Sequence, residues 1–274
     1  MRELRIRNWD ELQSVVFENV WEPSIMRYRN SRVYRGMADC EWALTPTLNR
    51  SCAHDLSLEK MIVRSFVKYG YAELQGCNSF WELIAMGQQF GLPTRLLDWT
   101  YSPLVAAHFA TEDVSQYDRD GVIWCVDTND VNKELPTPLK TRLEEQKGNI
   151  FARDILEEVA HDFKALQSIS ETPFALFFEP ASTVNRIANQ YALFSVVSDP
   201  KVTLLDLPVS DTFTKLVIDR HAKLEIRDKL DYINISERMI YPGLDGICKW
   251  IARRYAPLGP IYNSKNECGE HTER

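Results

Sequence analysis

The feature that most limits the fold of this chain is a short helix that is apolar on nearly every side. Ser102 is a favourable N-cap and Pro103 suits the first helical position, so a helix is predicted to start there. The residues that follow are small or apolar, namely Leu104, Val105, Ala106, Ala107, Phe109 and Ala110. A helix without a polar face has to be buried by other elements. We therefore expect a globular protein packed around this helix.

Composition agrees with a globular protein and argues against several functional classes. The 274 residues are 45% hydrophobic and 26% charged, as in ordinary folded domains. A formal net charge of -7 disfavours a surface that wraps the nucleic acid backbone, because that surface needs clustered Lys and Arg. The start of the chain lacks an apolar signal core and no stretch is long enough to cross a membrane, so we expect a cytoplasmic protein with no membrane partner.

The cysteines and histidines do not suggest a metal site. The six Cys include no C-x-x-C pair and no short Cys/His spacing. We interpret them as free thiols that serve mostly in packing: Cys40, Cys52, Cys77, Cys125, Cys248 and Cys268.

The hydrophobic pattern predicts an α+β fold with a helical insertion. Strands are predicted at 4–6, 32–36, 122–126, 174–178, 194–197, 202–205 and 215–218. Helices are predicted after the capping box Asn8/Glu11, at 58–74, from the capping box Ser79/Glu82 to the residues before Gly91, from Ser102, and at 222–233 and 244–255. The segment 91–101 is predicted to be mostly loop.

We interpret the chain as a single domain over residues 1–256, followed by a polar C-terminal tail at 257–274 that we expect to fray. The helical insertion covers about 130–170. Within it, one apolar helix face is predicted from Ile155, Val159, Phe163 and Leu166.

The first candidate for chemistry is Arg35, which is predicted near the end of a strand and beside Gly36. A guanidinium can hold a phosphate through two parallel hydrogen bonds, and a glycine lets a ligand come close. The alternative is an arginine that pairs with a carboxylate to brace the sheet.

The run MGQQFGLPTRLLDWTYSPLVAAHFA, residues 86–110, is the densest group of candidate side chains. A polar loop between buried helices often lines a pocket, and the N–H groups at the Ser102 cap suit an anion. The alternative is that Arg95 pairs with Asp98 to brace the loop while Trp99 fills the core. For His108, in the middle of the helix, we expect a hydrogen-bonded core histidine. Gln190 precedes a predicted strand, where its amide can orient a ligand hydroxyl or cap a turn.

These residues resemble the FRG domain family, whose name-giving Phe-Arg-Gly triplet corresponds here to Tyr34, Arg35 and Gly36. The resemblance continues through most of the chain, in Trp42, Leu44, Pro46, Leu48, Gln88, Gly91, Leu92, Pro93, Thr94, Arg95, Leu96, Leu97, Asp98, Trp99, Ser102, Pro103, Ala106, Phe109, Ala110, Arg186, Gln190, Phe194 and the run from Tyr241 to Leu244. It implies that residues 1–256 form one FRG domain.

The order of these motifs is also similar to that of the ADP-ribosyltransferase superfamily. This resemblance implies an ADP-ribosyltransferase-like mixed sheet core with flanking helices, and NAD as the substrate that donates ADP-ribose. It implies catalytic roles for Arg35, Ser102 and Gln190. The residues implied to bind NAD are Tyr34, Arg35, Gly36, Gln88, Thr94, Arg95, Asp98, Trp99 and Ser102.

Gln190 departs from the superfamily pattern, in which a catalytic Glu usually stands at this place. A glutamine supplies a hydrogen bond to the ribose without the negative charge that opposes the developing cation. Three readings remain open: Asp98 or Glu179 supplies the charge, the acceptor is a nucleobase that needs less base assistance, or the domain binds a nucleotide without turnover.

Three functional hypotheses follow. The first is an NAD-dependent ADP-ribosyltransferase, as a toxin or antiphage effector that modifies single-stranded nucleic acid or protein, with an antitoxin or chaperone as a further partner. The second is a non-catalytic nucleotide-binding or sensing module that regulates an effector. The third is a scaffold in which the polar loop only braces itself.

Overall fold

The computed structural model describes residues 1–180 and 185–256. It is a mixed α+β structure, which confirms the predicted class. The tail predicted at 257–274 lies outside the described residues. None of the helices in the described part has the length and apolar content of a membrane span.

The centre of the fold is an eight-stranded mixed sheet in the order β1-β10-β6-β4-β5-β9-β8-β7. The edge pairs β1/β10 and β7/β8 are parallel and the other neighbours are antiparallel. A separate hairpin is formed by β2 and β3. The strands are β1 Arg2–Ile6, β2 Trp21–Glu22, β3 Arg27–Tyr28, β4 Arg32–Met37, β5 Leu97–Thr100, β6 Gly121–Asp127, β7 Phe151–Ala152, β8 Ala175–Glu179, β9 Ala192–Val197 and β10 Thr214–Ile218.

Helices cover the two faces of this sheet. They are α1 Trp9–Val16, α2 Thr47–Ser51, α3 Leu58–Tyr69, α4 Phe80–Gln89, α5 Pro103–Thr111, α6 Thr128–Lys133, α7 Thr137–Glu145, α8 Arg153–Val159, α9 Phe163–Ser168, α10 Asn185–Asn189, α11 Lys223–Tyr232, α12 Glu237–Ile240 and α13 Leu244–Tyr255. The capping pairs read from the sequence are present: Asn8 accepts from the Glu11 N–H, Ser79 from Glu82 and Ser102 from Val105.

The predicted burial of α5 is confirmed, and its packing partner is β4. Side chains alternate across β4, so Tyr34 and Gly36 lie on the face covered by α5, whereas Val33 and Met37 pack on the opposite face. An ideal Cβ on Gly36 would come within 1.8 Å of the Ala106 carbonyl oxygen. Gly36 is therefore required for the close approach of α5 to the sheet.

Several predicted elements are wrong in position or type. Segment 91–101 is mostly loop, as predicted, but the prediction missed the short strand β5 within it, whose alternation of apolar and polar side chains is only four residues long. The strand predicted at 202–205 is instead a loop and a 3-10 turn over Leu204–Asp206, stabilised by a capping box between Thr203 and Asp206. The capping pair offers the backbone a local alternative to sheet hydrogen bonds.

Two helix predictions need correction as well. The helix predicted at 58–74 ends at Tyr69, and its side chains are mostly exposed or half-buried. The apolar face from Ile155 to Leu166 belongs to two helices, α8 and α9. Asp162 caps α9 by accepting from the Ala165 N–H at 2.7 Å, which starts a new helix rather than continuing α8.

Candidate functional site

The centre of the sheet contains a local gap between β4 and β5. These strands pair at only one position, Tyr34 with Thr100, whereas β4 pairs with β6 along its whole length from Arg32 to Met37. A pocket of about 200 Å³ lies in this gap, lined by residues of both strands and of α4, α5 and α10: Tyr34, Arg35, Gly36, Gln88, Gln89, Asp98, Trp99, Thr100, Phe109, Arg186 and Gln190.

Arg35 spans the gap with its side chain, which is 18% exposed. Its Nη1 donates to the carbonyl oxygen of Asp98 at 2.6 Å and lies 3.6 Å from the Asp98 carboxylate. Its Nε is buried without a hydrogen-bond partner among the residues that the structure describes. Burial lowers the pKa of Arg35 and the Asp98 charge acts in the opposite direction, but a guanidinium stays protonated in proteins. The pocket therefore contains a cationic group whose Nε is a buried donor with no partner among the described residues.

Asp98 is held by a chain of hydrogen bonds that starts in the loop before β5. Gln88 Nε2 donates to Asp98 Oδ2 at 2.7 Å, and the Gln88 Oε1 accepts from the Thr94 hydroxyl at 2.6 Å. The Thr94 hydroxyl accepts in turn from the Leu96 N–H at 3.1 Å. Thr94 does not line the pocket. It instead fixes the Gln88 amide, which positions the carboxylate beside Arg35.

Gln190 and Arg186 form the wall contributed by α10. The Gln190 N–H donates to the Arg186 carbonyl at 3.0 Å, so the two residues stand one helical turn apart on the same face. Gln190 is buried and its Nε2 donates to the Ile240 carbonyl at 3.3 Å. Arg186 Nη1 donates to the Gln89 carbonyl at 3.3 Å, and its Nε is buried without a partner among residues 1–180 and 185–256.

Arg186 was quoted in the family resemblance but was given no role in the site. A signal for it exists in the sequence, since an i, i+4 spacing from Gln190 on a short helix places both side chains on one face. The structure thus brings two arginines into the lining of one pocket, and the Nε of each is buried without a hydrogen-bond partner among the described residues.

The last part of the resemblance also reaches this region through Tyr241. The Arg186 guanidinium lies 4.9 Å from the Tyr241 ring centroid. The Tyr241 hydroxyl donates to the Glu112 carboxylate, with oxygen distances of 2.9 and 3.1 Å. Burial and the Glu112 charge raise the pKa of Tyr241, so it stays a neutral donor. Tyr241 therefore supports the Arg186 side chain from behind the pocket.

Ser102 does not line the pocket. Its hydroxyl accepts from the Val105 N–H at 3.3 Å, which caps α5, and its own N–H donates to the Thr100 hydroxyl at 3.0 Å. Thr100 does line the pocket and donates to the Gln190 carbonyl at 2.7 Å. Ser102 is thus one hydrogen bond away from the lining residues.

Arg95 is directed into a buried ion pair instead of the pocket, and the predicted alternative of an Arg95–Asp98 brace is wrong. Arg95 Nε donates to Glu59 at 2.8 Å, a second nitrogen contacts the same carboxylate, and Nη1 donates to the Ser198 carbonyl at 3.0 Å. Both ionic side chains are less than a tenth exposed. Sequence reasoning missed this pairing because Glu59 appears as one of many charges on an exposed helix.

Three further candidate residues form hydrogen bonds that stabilise the fold. Trp99 is buried and its Nε1 donates to the Ser195 hydroxyl at 2.8 Å, although the residue contributes to the pocket lining. His108 is a core histidine, as predicted, with Nδ1 2.6 Å from Arg227 and Nε2 3.1 Å from Glu112. Glu179 does not line the pocket; it accepts from the Tyr101 hydroxyl at 2.5 Å.

A larger cavity of about 650 Å³ continues from this pocket and shares Arg35, Gly36 and Phe109 with it. Its other lining residues were not assigned to the site from sequence: Met37, Ala38, Trp42, Ala43, Thr45, Asn49, Arg50, Glu112 and Asp113. Sites for small molecules measure roughly 300–1,000 Å³. The smaller pocket alone is below this range, whereas the larger cavity is within it.

Residues 30–119 match the family model of the FRG domain. The match includes Arg35, Gln88 and Asp98, and it ends before Arg186 and Gln190. No curated protein and no solved structure matches the chain. The match supports the FRG relationship for this part of the chain.

Proposed function

From an FRG-domain match that contains Arg35 and Asp98, we propose that this chain is an NAD-dependent ADP-ribosyltransferase. The proposal includes an ADP-ribosyltransferase-like arrangement of the sheet, in which the gap between β4 and β5 receives the dinucleotide. The motif order from the Tyr34-Arg35-Gly36 strand to Gln190 supports it, because this order is similar to that of the transferase superfamily.

The proposal depends on one observation: among the described residues, two arginines with unused hydrogen-bond donors and one carboxylate line the same pocket. Arg35 and Arg186 each present a buried Nε that has no partner among the described residues, and unmet buried donors are unfavourable. Asp98 is the acidic residue that lines the same pocket within residues 1–180 and 185–256. A ligand with phosphates and a nearby positive charge satisfies both kinds of group, and NAD has this distribution of charge.

NAD supplies a ribosyl carbon whose bond to the nicotinamide nitrogen breaks; the bonding pair leaves with neutral nicotinamide, and the acceptor bonds to that carbon and loses a proton. In this scheme Asp98 opposes the positive charge that develops on the ribose. Gln88 keeps the carboxylate in place through its 2.7 Å hydrogen bond. With its amide nitrogen bound to the Ile240 carbonyl, Gln190 offers its amide oxygen to a ribose hydroxyl.

The charge of the chain favours certain acceptors and partners. A net charge of -7 is unsuited to bare duplex, so we propose a protein or a single-stranded nucleic acid as acceptor. A role as a toxin or antiphage effector in the cytoplasm fits this chemistry. An antitoxin or chaperone with a basic surface would then be held by the acidic face.

The test is release of nicotinamide and transfer of label from adenine-labelled NAD in cell extract. We expect Asp98→Asn and Arg35→Lys each to lower the rate about 100-fold or more, as for removal of one electrostatic group from an active site. Arg32→Lys is the matched control, because Arg32 lies on the same strand and lines neither cavity. Wild-type protein that neither releases nicotinamide nor transfers label would refute the proposal.

A second candidate is a nucleotide-binding sensor without turnover. The observation that favours it is the amide at Gln190, together with the use of Asp98 as a partner of Arg35 and Gln88. This candidate predicts that NAD or a related nucleotide binds in calorimetry and is recovered intact from every extract.

A further inference from the structure

The larger cavity has the size and lining of a nucleoside site. Trp42 lies in its wall with 48% of its surface exposed, so an aromatic side chain of this wall is accessible to a ligand. Met37, Ala38 and Phe109 add apolar surface, and Thr45 and Asn49 add polar groups. An exposed aromatic face beside polar groups is the usual surface on which a nucleobase stacks.

Two arginines line this cavity, and one of them also lines the smaller pocket. Arg35 belongs to both cavities, and Arg50 lines the larger one. Arg50 is held in place, because its Nη1 donates to the Thr45 carbonyl at 2.8 Å and its Nη2 to the Thr47 hydroxyl at 3.0 Å. After burial, which is the main cause, the positive charge of Arg50 also contributes to the lowered pKa of Arg35. Both guanidinium groups line this cavity, and two positive charges in one wall suit an anionic ligand.

Carboxylates lie elsewhere in the wall of the same cavity. Glu112 is fixed by the Tyr241 hydroxyl and by His108 Nε2, while Asp113 caps a 3-10 turn by accepting from the Ser115 N–H. Carboxylate oxygens accept hydrogen bonds from sugar hydroxyls and from exocyclic amino groups of bases. The cavity therefore combines an aromatic side chain on which a base can stack, two arginines and carboxylates that accept hydrogen bonds.

We propose that the larger cavity binds the purine nucleoside of a diphosphate ligand, with the base stacked on Trp42 and the diphosphate between Arg35 and Arg50. The other end of the ligand enters the smaller pocket. Only the identity of that end as nicotinamide riboside rests on the proposed function.

The test measures binding of ADP and of ribose 5-phosphate by calorimetry to the wild type and to Trp42→Ala and Trp42→Phe. We expect Trp42→Ala to weaken ADP binding about 10- to 100-fold, as is typical for loss of one base-stacking residue. Trp42→Phe should retain binding to within several-fold, and ribose 5-phosphate, which has no base, should bind all three proteins equally. Trp21→Ala is the control, because Trp21 is also 48% exposed and lines neither cavity.

The inference is overturned if ADP does not bind the wild type at millimolar concentration, or if Trp42→Ala changes ADP affinity less than twofold. Its failure can be distinguished from failure of the proposed reaction. Trp42-dependent ADP binding without nicotinamide release supports the nucleoside site and refutes the transferase. Nicotinamide release with a KM for NAD that is unchanged in Trp42→Ala refutes the nucleoside site alone.

Discussion

Lys223 is a buried amine whose titration should be visible in the stability of the protein. The side chain has no exposed surface, and its Nζ donates to the Ala38 carbonyl at 2.6 Å and to the Gln116 carbonyl at 2.7 Å. Burial lowers the pKa of Lys223 from 10.5 to about 8, although Asp39 and Asp120 act in the opposite direction. The folded protein therefore releases this proton at a lower pH than the unfolded chain.

Between pH 8 and 10.5 the unfolded chain binds more protons at Lys223 than the folded protein, so the free energy of unfolding rises with pH. A pKa lowered from 10.5 to about 8 corresponds to about 3 kcal/mol over the whole titration, of which roughly 2 kcal/mol appears between pH 7 and 9.5. Below pH 7 both states are protonated and the unfavourable burial of the charge is fully present.

The assay is urea unfolding at several pH values from 7 to 9.5 for the wild type and Lys223→Met. Loss of the two hydrogen bonds lowers the stability of the variant by an amount that does not depend on pH. Burial also raises the pKa of the Cys77 thiol, but the two proteins share this group, so its effect cancels in the difference. Burial raises the pKa of the Cys40 thiol as well, and its charge acts on Lys223, so both proteins carry Cys40→Ala in this assay. A wild-type minus variant difference that stays constant across this range would refute the reasoning.

Three further variants test the fold around the pocket. Gly36→Ala should lower the free energy of unfolding by about 1–3 kcal/mol or more, since its Cβ would meet the Ala106 carbonyl, whereas Gly76→Ala, with open space around it, should have little effect in the same urea assay. Glu59→Gln should lower the free energy of unfolding by about 3–5 kcal/mol, because the substitution leaves the Arg95 charge buried and unpaired. An unchanged unfolding midpoint would contradict this expectation. Asp162→Ala removes the cap of α9 and should lower stability by about 1 kcal/mol in chemical unfolding.

The sequence predicts the elements well where a local signal sets their ends. Asn8, Ser79 and Ser102 each cap the helix that was expected to follow, because this hydrogen bond depends only on neighbouring residues. β5 was missed because its hydrogen bonds are made to β9, which lies far away in sequence. Its four residues alternate between apolar and polar, but this run is too short to identify a strand without its partner.

The candidate site was predicted in part for the same reason. Arg35, Gln88, Asp98 and Gln190 do line one pocket, and the family resemblance had selected them. Arg95 was in the same motif, yet its partner Glu59 lies on α3, and only tertiary packing brings the two together. Spacing in the sequence shows which residues are close along a helix or strand. It does not show whether a side chain such as that of Arg95 points into a pocket or towards a partner on another element.

At the gap between β4 and β5, Arg35 has two roles: it links the two strands and it lines the pocket. Where the backbones of β4 and β5 are not paired, the Arg35 guanidinium links the two strands by donating a hydrogen bond to the Asp98 carbonyl. A ligand that engages Arg35 would contact both strands and stabilise the folded protein by an amount set by its concentration and dissociation constant, so occupancy should raise the melting temperature. Thermal shift therefore offers a way to screen nucleotides before any acceptor is known.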